Sequence, residues 1–127
     1  MPRKPTVAQR LRMAKQVAFQ KEFGAWCKTH GFPEPTYEYR YDPNRMWRLD
    51  VAWVEQKVGL EIEGNVWHKS RHTTGQGFLQ DCDKYNTATA NGWRLLRVAR
   101  PPQADKIQSV LYRNTLALWL DQLLREP

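Results

Sequence analysis

The sequence predicts an α/β protein with a mixed central sheet flanked by helices. Three observations predict it: segments with a two-residue apolar/polar alternation cluster between about residues 37 and 64, segments with helical spacing flank them on both sides, and a further apolar strand, "WRLLRVA", follows a helix. The order reads α-β-β-β-α-β-α, the pattern of helices packed on a sheet. At 127 residues the chain suffices for one domain with one modest core, residues 1–127, and is too short for two domains of ordinary size.

Thr6 caps a long basic helix, about 6–30, that Gly31 ends. Val7, Leu11, Ala14, Ala18, Ala25 and Trp26 supply its apolar stripe, and Arg10, Arg12, Lys15, Lys21 and Lys28 make its other face basic. "FPEPT" then interrupts regular structure, "YEYRY" resumes as an alternating strand, and Asp42-Pro43-Asn44 turns the chain. A second strand spans Met46 to Val54 and a third Lys57 to Gly64, with the polar pair Glu55-Gln56 between them.

The polar loop "NVWHKSRHTTGQG" leads into a helix from about Phe78 to Asn91, stopped by Gly92. In it Phe78, Cys82, Tyr85 and Thr89 form the stripe expected on the sheet, leaving Asp81, Lys84 and Ala88 at the margin. "WRLLRVA" is the fourth strand, Pro101-Pro102 ends it, and one C-terminal helix, about 103–125, closes the chain.

No apolar run approaches the roughly 18 residues of a membrane span, and the basic N-terminus lacks the apolar core and cleavage site of a secretory signal. Cys27 and Cys82 stand alone, outside any CxxC pair, so they read as thiols in a reducing, cytoplasmic compartment. The net charge of +7 favours an anionic partner, nucleic acid first, because a basic surface attracts polyanions and releases their counterions. An acidic protein partner fits the same number.

The chemistry lies in the second and third strands. Alternation puts Trp47, Leu49, Val51 and Trp53 on one face of the second strand, with Arg48, Asp50 and Ala52 on the other. In the third, Val58, Leu60 and Ile62 oppose Lys57, Gly59, Glu61 and Glu63. A two-residue turn at Glu55-Gln56 pairs Val54 with Lys57, which sets Asp50 across from Glu61 and Arg48 across from Glu63. Carboxylates so placed have Cβ atoms roughly 5 Å apart and repel each other unless something positive intervenes. A hard divalent cation meets that need, and Mg²⁺ takes carboxylate oxygens while keeping several waters. Gly59 and Gly64 beside the acids leave room for a ligand. A solvated sheet face, partly neutralised by Arg48, is the alternative.

The blocks "RMWRLDVAW", "LEIEGNVW", "SRHTTGQGF", "DCDKYN" and "NGWRLLRV", in this order over about Pro33 to Val98, resemble the PD-(D/E)XK nuclease superfamily, and within it the small phage and bacterial proteins of the very-short-patch repair endonuclease-like branch. The resemblance implies a restriction-endonuclease-like core and a Mg²⁺-dependent endonuclease, with Mn²⁺ a possible substitute, acting on duplex or branched DNA. It implies Asp50, Glu61 and the Ile62 carbonyl as metal contacts. Glu63 stands where many members carry lysine, and there it orients or deprotonates water; Lys84 on the following helix is placed to supply the missing positive charge.

His72 reads as a phosphate contact or proton donor, and His68 occupies the position of a histidine that the repair enzymes use. The two lie four apart in a glycine-bearing loop, which argues against a zinc pair. Arg10, Arg12 and Lys15 on the first helix and Lys69, Arg71 and Thr73 in the loop would track the phosphate backbone. Glu38 and Glu22 are further acids that ordinary solvation or salt bridging explains. Cutting both strands of a duplex would call for a homodimer. The alternative function is a nuclease fold kept as a DNA-binding or protein-interaction module without cleavage.

Overall fold

The computed structural model describes residues 2–64, 75–112 and 114–125. Its elements run α1 (Val7–His30), β1 (Thr36–Tyr39), β2 (Leu49–Trp53), β3 (Val58–Glu63), α2 (Gly75–Ala90), β4 (Arg94–Ala99), α3 (Lys106–Tyr112) and α4 (Asn114–Arg125). The strands lie in the order β1-β2-β3-β4; β1 and β3 pair antiparallel with β2, and β4 pairs parallel with β3. The chain is therefore α/β with a mixed four-stranded sheet and helices on both faces. Among the described residues no helix is long and apolar enough to cross a membrane.

α1 begins in a capping box. The Thr6 hydroxyl accepts the Gln9 N–H at 3.1 Å, Gln9 Oε1 accepts the Thr6 N–H at 2.8 Å, and two orphan amides are satisfied. Gly31 ends the helix in the left-handed region at φ 75°, a conformation that costs glycine little. The expected stripe is corrected. Phe19, Phe23 and Cys27, spaced four apart, are the buried face, while every residue from 2 to 18 is exposed. Phenyl rings bury far more area than the alanines of the expected stripe, and only the C-terminal half of the helix reaches the sheet.

One face of the sheet, with Val51, Trp53, Val58, Leu60, Ile62 and Val98, packs on Phe19 and Phe23 of α1, Val110 of α3, and Leu116 and Leu120 of α4. The expected single C-terminal helix is two helices. In one continuous helix, Val110 and Leu116 would point about 120° apart, so the chain must re-aim between them to bring both into the same core. The opposite face holds Leu49, Ala52, Trp93 and Ala88 of α2.

Leu49 was expected beside Val51 and Trp53, yet it packs with Ala52. The cause lies across the β1–β2 pair. Glu38 adopts φ 51°, which interrupts the pleat; Tyr37 joins the α1 face and Tyr39 the α2 face, and their partners Val51 and Leu49 divide the same way. Asp50 is the residue opposite Glu38 at this switch. The strand itself starts at Leu49, and Trp47 stacks on Tyr41 at 6.4 Å instead of entering the main core.

The α2 stripe is also reversed. Gly77, Asp81 and Ala88 are buried, whereas Phe78 is 60% exposed. Small residues let the helix lie close to the sheet, which turns Lys84 inward. Gly59 is not an opening for a ligand either, because a Cβ there would sit 2.7 Å from Leu95 Cδ2 and 2.9 Å from Leu49 Cδ1.

Candidate functional site

The turn at Val54 to Lys57, closed by the Lys57 N–H on the Val54 carbonyl at 3.2 Å, fixes the β2–β3 register at Trp53↔Val58 and Val51↔Leu60. Continued by one step, this register sets Asp50 opposite Glu61. There the side chains replace the ladder. The Asp50 N–H donates to Glu61 Oε1 at 2.8 Å, and the Ile62 N–H donates to Asp50 Oδ2 at 2.7 Å, so each carboxylate holds the other strand. Hydrogen bonds from an amide to an ionised acceptor are the stronger kind.

Three cations from three other elements meet the three acids. The Lys84 ammonium of α2 lies 3.0 Å from Glu61 Oε2, and the Lys106 ammonium of α3 lies 3.3 Å from Asp50 Oδ1. On β4, Arg97 grips Glu63 Oε1 through Nε at 2.9 Å and Nη2 at 2.8 Å. The Tyr85 hydroxyl donates to the same Glu63 oxygen at 2.6 Å and stands 3.5 Å from Glu61 Oε2, with the Arg97 guanidinium 4.0 Å from its ring centroid. Tyr41 anchors this part of α2 by donating to the Lys84 backbone carbonyl at 2.6 Å.

Electrostatics follow from burial. Glu61 is 7% exposed, and desolvation, then the Asp50 charge, raise its pKa against the pull of Lys84. Desolvation and the Asp50 charge also raise the Glu38 carboxyl, with Lys106, Arg48 and Lys84 acting the other way. Burial and the hydrogen bond to Glu63 push the Tyr85 hydroxyl far above its ordinary value, so it acts as a donor.

A cleft of about 650 Å³ opens beside Asp50, between α1 and the segment after β4; Arg12, Lys15, Arg100 and Lys106 line it together with the acids Glu22, Glu38, Asp50 and Asp105. Gly64 lies at its wall, where any side chain would collide with the Arg100 guanidinium.

Of the residues expected from the sequence, Asp50, Glu61, Ile62, Glu63 and Lys84 form one cluster, and Arg12 and Lys15 border the adjoining cleft. Arg10 stands apart, its Nη1 3.5 Å from the Pro5 carbonyl. Lys69, Arg71, His72, Thr73 and His68 lie outside the described residues. Sequence reasoning missed Tyr85, taken as a core aromatic, and also Arg97 and Lys106. Arg97 carried a signal, as a charge between Leu96 and Val98 inside β4. Lys106 carried none, since it comes from 56 residues away.

The ligand chemistry fits a hard cation. Mg²⁺ binds through one or two carboxylates plus waters, and each oxygen of Asp50 and Glu61 retains a second lone pair beside the donor it accepts. Among the described residues no group of three or more His, Cys, Asp or Glu gathers to make an all-protein cage. In comparisons with known proteins, no family model, curated protein or solved structure matches the chain.

Proposed function

We propose that the chain is a metal-dependent endodeoxyribonuclease that hydrolyses phosphodiester bonds in duplex or branched DNA, built on a restriction-endonuclease-like core. The observation that carries this reading is the convergence of Asp50, Glu61 and Lys84 from three elements, with Asp50 also lining a cleft that Arg12, Lys15 and Lys106 border. Asp50 and Glu61 would hold Mg²⁺, or Mn²⁺ in its place, which supplies Lewis acidity and an activated water when bound. Lys84, steered by Glu61 and by the Tyr41 contact to its backbone, stabilises negative charge developing on the phosphate. Glu63 Oε1 already accepts from Tyr85 and twice from Arg97, so a water can be oriented only at its other oxygen. Arg12, Lys15 and Lys106 draw the phosphate backbone toward Asp50.

The test is incubation with linear, nicked, flapped, mismatched and four-way DNAs in Mg²⁺, Mn²⁺ or EDTA. Metal-dependent cutting that Asp50→Asn abolishes is expected; cutting that persists in Asp50→Asn refutes the assignment. A second reading, a DNA-binding module without cleavage, is favoured by the fact that Asp50, Glu61 and Glu63 already have cationic partners within the chain. It predicts DNA binding unaffected by metal and no cutting of any substrate.

A further inference from the structure

Among the described residues, no side chain of the N-terminal half of α1 is buried. Residues 2 to 18 are all exposed, and Val7, Leu11, Met13 and Val17 are 58 to 65% exposed. A free helix of this length is marginal in water, since nucleation costs more than a few turns return. Its charge indicates what can surround it. Arg3, Lys4, Arg10, Arg12, Lys15 and Lys21 precede the first acid of the chain, Glu22. Two copies of such an arm would repel each other, so a second copy of this chain is the wrong occupant.

The cations are also spread around the axis. At 3.6 residues per turn, Arg10 and Arg12 leave the helix about 160° apart. A helix lying along one strand would use one basic side, whereas a helix between two phosphate strands needs cations on both. The major groove of a duplex, about 12 Å wide, admits an α-helix of about 10–12 Å diameter and offers thymine methyl groups to apolar side chains. The arm is continuous with the cleft: Arg12 and Lys15 belong to both, and Asp50 also lines the cleft.

We propose that residues 7–18 form a recognition arm that enters the major groove of duplex DNA next to the phosphate presented to Asp50. The inference rests on the nuclease reading and names its substrate as a duplex with an accessible major groove beside the cut. From Val7 to Ala18 the arm is about 18 Å long, which covers about five base pairs at 3.4 Å each.

The test uses the full chain with a duplex in EDTA, at low salt, with dimethyl sulfate as the probe, since it methylates guanine N7 in the major groove and adenine N3 in the minor groove. The expected result is N7 protection over about five base pairs. Ala14→Pro breaks the arm without touching the core and should abolish the protection and weaken binding at least tenfold, with an unchanged urea midpoint as the folding control. Full N7 protection and affinity in Ala14→Pro overturn the arm alone, as does protection confined to adenine N3. A wild-type dimer that Ala14→Pro converts to monomer also overturns it, assigning the arm to a second copy. Failure of the wild-type chain to bind any duplex overturns the nuclease reading together with the arm.

Discussion

Lys84→Met keeps the aliphatic stem and deletes the ammonium 3.0 Å from Glu61 Oε2. Both side chains are largely buried, at 14% and 9% exposed. Removing one partner of a buried pair costs about 3–5 kcal/mol. One feature reduces this figure: Glu61, whose carboxyl burial already favours in the neutral form, can take up a proton. The expected loss is about 2–3 kcal/mol at pH 7.5. Its pH dependence has a definite sign. Burial and Asp50 already raise the Glu61 pKa in the folded state, and deleting Lys84 removes the main influence that lowers it, leaving only the Asp50 N–H, so the folded chain of the variant binds this proton still more tightly than the unfolded chain. The added cost is complete above the folded value and fades as pH falls toward the unfolded carboxylate value near 4.3, so the loss should shrink to under about 1 kcal/mol at pH 4.5. Urea unfolding of wild type and variant at the two pH values, followed by tryptophan fluorescence, measures it. An equal loss at both pH values refutes the pairing. Single-turnover cleavage should slow at least about tenfold, which is about 1.4 kcal/mol of transition-state stabilisation. A wild-type rate makes Lys84 a structural partner only.

Asp50→Asn should eliminate cutting while DNA affinity, followed by fluorescence anisotropy, is retained or improved, because a charge that repels phosphate is gone. The like-charge pair alone predicts that this variant is more stable; with Lys106 and the Ile62 N–H both donating to Asp50, a loss of about 1–2 kcal/mol in urea unfolding is expected instead. Gly59→Ala forces Leu49 and Leu95 from their positions and should destabilise by about 1–3 kcal/mol, lowering the thermal midpoint with no direct effect on the acids. Arg10, Arg12 and Lys15 changed together to alanine should reduce the slope of log affinity against log salt by roughly one unit per lost phosphate contact. A salt-independent affinity in the wild type excludes the basic helix as a DNA contact.

The turn and the register were legible because they depend on local rules. Parity and a short turn put Asp50 across from Glu61, and Thr6 and Gly31 bounded α1 through capping chemistry. What parity cannot register is an interruption of the pleat. Glu38 is an ordinary strand residue by composition, yet its φ of 51° redirects Leu49 and Tyr39 to the α2 face. Helix stripes failed for a related reason. Periodicity reports which residues share a face, whereas the body of the protein decides which face and how much of its length is covered. The exposed arm of α1 and the inward turn of Lys84 both follow from that choice. Lys106 reaches Asp50 only through tertiary folding, so no spacing rule could find it.

The question raised by the acids in β2 and β3 was what compensates their charge. Asp50, Glu61 and Glu63 each have a cation supplied by a different element, and Asp50 and Glu61 also replace backbone pairing where the two strands part. The clamps are unequal. The Lys106 side chain is 36% exposed and its ion pair is screened by solvent, so it contributes little, whereas Lys84 is nearly enclosed. A site neutralised in this way does not need a metal in order to fold, unlike small domains whose ligands are unsatisfied until metal binds. Chelation should therefore leave the unfolding transition unchanged while removing any cleavage. Under the nuclease reading a cation must share Asp50 with Lys106, the partner least fixed by burial, and leave Lys84 on Glu61 facing the phosphate. Thermal stability unaffected by EDTA, together with cutting that depends wholly on Mg²⁺, is the combination of results that would separate metal as a reagent from metal as a structural element in this chain.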